Sequence, residues 1–115
     1  MKMSSSLHLI LPPGFDEQAL FELPFKGWLS AYVESEEGCR YPVHFSDPVR
    51  LQQDLAEEVQ LGKPHFAMPG LIILPEVTMA AIEEAVQALW EQGFFAYLKA
   101  EQFESSNLQR EYQFA

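Results

Sequence analysis

The sequence predicts a small α+β domain. The expected architecture is a two-layer sandwich: a mixed β-sheet of four to five strands carrying two main helices, in the order β-β-β-α-β-α-β. Three observations predict it. Residues 28–34 and 39–45 alternate in polarity on either side of a short polar loop that ends in glycine. Residues 47–62 and 78–93 each place apolar side chains at helical spacing between a capping residue and a glycine. Between those two helices, Leu71–Leu74 is an apolar run bounded by Pro69-Gly70 and Pro75.

A chain of 115 residues is read as one domain, 1–115, with 101–115 as a C-terminal arm. Such a chain buries roughly 65 % of the surface it exposes when unfolded. With 48 % hydrophobic residues, including nine Phe, it is not a wholly disordered polymer.

Each element has a local justification. Leu7–Leu11 is apolar apart from His8 and reads as a first strand, which Pro12-Pro13-Gly14 ends in a turn. The stretch 16–25 satisfies two periods. Asp16 suits the cap of a helical turn through Gln18, Ala19 and Leu20, but Phe21, Leu23 and Phe25 alternate like a strand, and Pro24 interrupts either element. A short helical turn is expected there.

In the next strand Leu29, Ala31 and Val33 share one face; Trp28, Ser30, Tyr32 and Glu34 share the other. Ser35-Glu36-Glu37-Gly38 forms the hairpin loop. Tyr41, Val43 and Phe45 then return opposite the first set, and Arg40, Pro42 and His44 opposite the second. Pro42 cannot donate to a ladder, so it belongs at a sheet edge or beside a gap in the pairing.

Asp47-Pro48 opens the first main helix, with Asp47 as N-cap and Pro48 at the first helical position. Leu51, Leu55 and Val59, joined by Ala56, form the stripe expected to pack on the sheet, and Gly62 and Pro64 end the helix. Leu71–Leu74, apolar at every position, is expected as a central strand covered on both faces. Thr78 caps the second helix, whose stripe is Met79, Ile82, Ala85, Val86, Leu89 and Trp90. Phe94–Leu98, directly after Gly93, is expected as the last strand.

The charge restricts the partners. The net charge is −10, and the seven Lys and Arg are not clustered. Nucleic acid and anionic membrane surfaces both require a cationic stripe, so neither is expected. A single cysteine, Cys39, allows no internal disulfide and suits a reducing compartment. The apolar run after Met1–Ser6 is too short for a signal core or a membrane span, so a soluble cytoplasmic protein is expected.

Motifs that would carry chemistry are missing from the sequence. There is no HExxH, paired CxxC, GxGxxG, phosphate-binding loop or GxSxG elbow, so no metal, cofactor or catalytic residue is assigned. His8 and His44 would be neighbours only if their strands paired. Cys39 and His44 project to opposite faces of one strand, which opposes a thiol–imidazole pair. The glutamate pairs at 36–37, 57–58 and 83–84 sit adjacent in sequence and do not face each other.

The residues singled out are Trp28, Tyr32 and His44. They share the sheet face opposite the expected helix layer, and polar-tipped aromatics are enriched at interface cores. If both crossovers run the same way, the helices cover one face only, and a homodimer packed sheet to sheet would cover the other. If the second crossover reverses, helices flank both faces and no dimer is required. The first arrangement is the expectation. The chain is therefore expected to be a small acidic binding or interaction protein, self-associating and non-catalytic. A sharper version is an inhibitor or immunity-type protein that masks a basic protein partner. The alternative is a small enzyme with a site centred on His44, acting with Asp47 or with Cys39.

Overall fold

A computed structural model describes residues 7–98 and the backbone of 110–113. In chain order the elements are β1 (His8–Leu11), α1 (Glu17–Lys26), β2 (Trp28–Glu34), β3 (Arg40–Ser46), α2 (Pro48–Gln60), β4 (Leu71–Ile73), α3 (Met79–Glu91) and β5 (Arg110–Gln113). A 3-10 turn, Phe94–Tyr97, follows α3. The strands form one five-stranded sheet in the order β4-β3-β2-β1-β5. The β3–β4 pair is parallel and the others are antiparallel, so the sheet is mixed and the fold is α+β as expected.

The hairpin register follows from its loop. Gly38 N–H bonds to Ser35 O at 3.0 Å and Ser35 N–H to Cys39 O at 2.9 Å, closing the turn. Leu29 then faces Phe45, Ala31 faces Val43, and Ser30 faces His44. Leu29, Ala31, Val33, Val43 and Phe45 are buried, in one cluster with Leu9 and Leu11 of β1, Leu23 of α1, Ile82 and Val86 of α3, and Phe95. This is the helix-covered face. The predicted α3 stripe packs here, and Thr78 Oγ1 accepts from Ala81 N–H at 3.1 Å as its cap.

Pro42 lies in a central strand, beside a gap in the pairing. His44 N–H bonds to Gly70 O at 3.0 Å, so the same-parity position 42 also looks toward β4. The β4 ladder begins only at Leu71, opposite His44, so Pro42 leaves no rung unmade. His8 and His44 are not neighbours, because β2 lies between β1 and β3.

Four expectations need correction. First, α1 is a helix of ten residues, not a short turn, and it runs through Pro24. Asp16 Oδ1 accepts from Ala19 N–H at 2.9 Å. At the other end Gly27, at φ 82°, donates its N–H to Leu23 O. Gly27 O in turn accepts from Asp47 N–H at 2.9 Å. These ends, with Leu23 buried, offset the bond that Pro24 cannot make.

Second, β4 is an edge strand, not a central one. Ile72 and Leu74 join the core, but Ile73 is 43 % exposed. An all-apolar run specifies burial on average, not on each face. Third, Phe94–Leu98 is not a strand. Ala96 N–H bonds to Gly93 O, and Leu98 N–H to Phe95 O. This tight turn brings Phe95 against Trp90 and Tyr41, with ring centroids 5.5 and 5.6 Å away. The fifth strand is instead β5, within the expected arm; the rest of 101–115 lies outside the described residues.

Fourth, α2 keeps its predicted ends but not its predicted facing. Asp47 Oδ1 accepts from Arg50 N–H at 2.7 Å. Gly62 N–H bonds to Val59 O and Lys63 N–H to Glu58 O, the paired bonds of a glycine-terminated helix. Leu51, Asp54 and Glu58 are half-buried, whereas Leu55, Ala56 and Val59 are exposed. Of the predicted stripe only Leu51 is half-buried; Leu55, Ala56 and Val59 point to solvent.

Candidate functional site

Opposite the helix-covered face, the sheet presents Trp28, Ser30 and Tyr32 from β2 and Pro42 and His44 from β3. The three residues singled out in the sequence do share this face. Their surroundings differ from an open aromatic patch. Trp28 and Tyr32 are half-buried, and His44 is only 6 % exposed.

The His44 ring is packed on several sides. Trp28 stacks on it at 5.8 Å between centroids and 23° between planes. Phe66, in the segment leading to β4, meets it edge-on at 6.4 Å. Lys26 Nζ stands 4.0 Å from the Trp28 ring centroid, a cation–π contact. His44 Nδ1 is 2.7 Å from Ser30 Oγ. Its Nε2 is buried and finds no hydrogen-bond partner among the described residues.

Burial lowers the pKa of His44 below the ordinary imidazole value of 6.5; the Asp54 carboxylate opposes that shift and Arg50 adds to it. Arg50 Nε and Asp54 Oδ1 form an ion pair on α2 at 3.1 Å. The lowered pKa favours the neutral ring. Either the serine hydroxyl donates to Nδ1, or Nδ1–H donates to the serine oxygen.

Beside this pair an open cavity of about 320 Å³ is lined by Ile10, Pro12, Pro13, Ser30, Tyr32, Pro42, Val43, His44, Met68 and Pro69. Three segments build it: the end of β1 with its proline turn, the hairpin, and the Met68-Pro69 approach to β4. Gly70 allows that approach. At φ 69° it has no side chain, and a Cβ there would collide with Pro42 O.

The His44/Asp47 pairing does not form: the Asp47 carboxylate caps α2 and His44 pairs with Ser30. Cys39 lies at the hairpin end, where its N–H bonds to Ser35 Oγ at 3.3 Å. Among the described residues no three His, Cys, Asp or Glu side chains are grouped to hold a metal ion. A serine nucleophile needs an oriented base and oxyanion donors. No carboxylate bonds His44 Nε2 among the described residues, and the pair places hydrogen-bonding atoms beside an otherwise apolar cavity.

Sequence reasoning did not single out Ser30, although the signal was present. A hairpin loop centred on Glu37 pairs residue 30 with residue 44 by counting outward. It also missed Phe21 and Phe25. In a strand these would share a face with Leu23. In a helix at 100° per residue they lie opposite it. With Leu23 buried, Phe21 is 72 % and Phe25 81 % exposed, their rings 6.0 Å apart.

No helix among the described residues is long and apolar enough to cross a membrane. Comparison with protein-family models, with curated proteins and with solved structures finds no match to this chain.

Proposed function

We propose that this protein is a small acidic interaction module without catalysis of its own, and that it self-associates through the outward face of α1. The observation that carries this reading is the Phe21–Phe25 pair. Adjacent exposed aromatics on one helix face are costly to leave in water and are enriched at interface centres. At the end of the same helix, the Lys26 ammonium lies over the Trp28 ring of β2.

The partner is a second copy. At −10 per chain, copies repel through charge and attract through apolar area, so association should strengthen as salt screens the repulsion. A basic protein partner would show the opposite salt dependence. Light scattering across protein concentration, at ~50 and ~500 mM salt, tests this: the Debye length falls from ~13 to ~4 Å. The expected result is a dimer that salt stabilises and that Phe21→Ser/Phe25→Ser converts to a folded monomer. A monomeric mass for the unmodified chain at every concentration would overturn the reading. So would a dimer that survives the double substitution.

A further inference from the structure

We propose that the cavity between the proline turn and the β3–β4 junction binds a small, uncharged, mainly apolar molecule bearing one hydrogen-bonding group, which Ser30 engages. This site is separate from the α1 surface and does not rest on self-association.

Three features carry the inference. The walls are apolar and stiff. Pro12, Pro13, Pro42 and Pro69 have fixed φ, and Gly70 clamps the last against β3, so the cavity needs little ordering when filled. Among the described residues no Asp, Glu, Lys or Arg lines it. A charged molecule would lose its hydration there with no counter-charge to replace it. Polarity enters through Ser30 and His44. His44 uses one of Ser30's bonding positions, and a hydroxyl has three. A purely apolar occupant would strip water from the remaining positions and return nothing, whereas one hydroxyl or amide would replace the lost bond.

Size bounds the occupant. The volume of about 320 Å³ lies at the small end of ligand pockets, roughly 300–1,000 Å³. It is about twice the ~150 Å³ cavity that accepts benzene. One substituted ring fits.

The test uses the full chain and three ring compounds of similar size: phenol, toluene and benzoate. Binding is followed by the methyl NMR signals of Ile10 and Met68, which report from separate walls. Phenol should give saturable shifts at both, about fivefold tighter than toluene, the ratio one net hydrogen bond provides. Benzoate should bind more weakly than either. Ser30→Ala, checked for an intact backbone spectrum, should erase the difference between phenol and toluene. Met68→Trp should block both by filling the site. The proposal is overturned if no probe gives saturable shifts at these methyls. Benzoate binding as tightly as phenol, or a phenol preference that persists in Ser30→Ala, also overturns it.

Discussion

Replacing Gly70 by alanine tests the junction that shapes both the sheet edge and the cavity. Gly70 sits at φ 69°, and an added Cβ would press on Pro42 O and lie 3.0 Å from Val43 Cα. Backbone cannot swing aside as a long side chain can. Gly70 O also accepts His44 N–H at 3.0 Å, so a retreat of Gly70 would stretch the first contact between β3 and β4. Two costs add. A left-handed conformation with a Cβ costs about 1–2 kcal/mol. Overpacking against fixed atoms costs about 1–3 kcal/mol more. The expected loss is about 3 kcal/mol, a large share of the 5–15 kcal/mol that holds a typical domain.

Gly38→Ala is the control. Gly38 has φ 87°, but nothing lies within 4 Å of its added Cβ. It should show the conformational cost alone. Urea unfolding followed by tryptophan fluorescence reads both variants. With a slope of about 1.5 kcal/mol per M, Gly70→Ala should lower the midpoint by about 2 M and Gly38→Ala by about 1 M. Equal losses in the two variants would show that the approach of Gly70 to Pro42 carries no steric cost, and the account of the junction would fail.

Other predictions concern the His44 pair and the two helix faces. Ser30→Ala leaves buried Nδ1 without its partner and should cost about 1–3 kcal/mol in urea; a loss below ~0.5 kcal/mol would mean that the bond is not made in solution. His44, buried and neutral, has a folded pKa below its unfolded one. The unfolded chain therefore takes up a proton first as pH falls through about 6.5. Its contribution is fully present above that value and is lost as pH drops toward the folded pKa, with a slope of at most ~1.4 kcal/mol per pH unit. Urea midpoints from pH 7.5 to 5.5 should fall more steeply than in His44→Phe; a ring whose NMR titration midpoint is 6.5 or higher would refute this. Ile82→Ala should cost about 2–5 kcal/mol, whereas Leu55→Ala, on the exposed stripe of α2, should cost under ~0.5 kcal/mol. Comparable losses in dilute protein would place the α2 stripe against the body.

The comparison of Ile82 with Leu55 shows how far the sequence was legible. Both residues sit on apolar stripes between a cap and a glycine, and the two stripes look alike as patterns. The caps at Asp47 and Thr78 formed as expected because each depends on atoms three residues away. The facing of α2 depends on where β3 releases the chain and where β4 takes it up. Phe21 and Phe25 illustrate the same limit. Their neighbours allowed helix or strand, and the choice decided whether they point in or out. At the candidate site, the shared face of Trp28, Tyr32 and His44 followed from strand alternation. The proline turn, Met68 and Gly70 did not, because they meet that face only through strand order.

Turns, caps, the hairpin register and the alternation of β2 and β3 were therefore fixed by short-range chemistry: hydrogen bonds with definite partners a few residues apart. The edge position of β4, the turned-out stripe of α2 and the cavity over Ser30 and His44 arose from packing among distant segments. Burial of apolar surface drives that packing, and burial is non-directional. It rewards covering Leu71–Leu74 or Leu55 without naming what covers them. Only the assembled chain, with five strands in one order and Gly70 pressed against Pro42, decides which apolar surface is satisfied and which remains open to a partner.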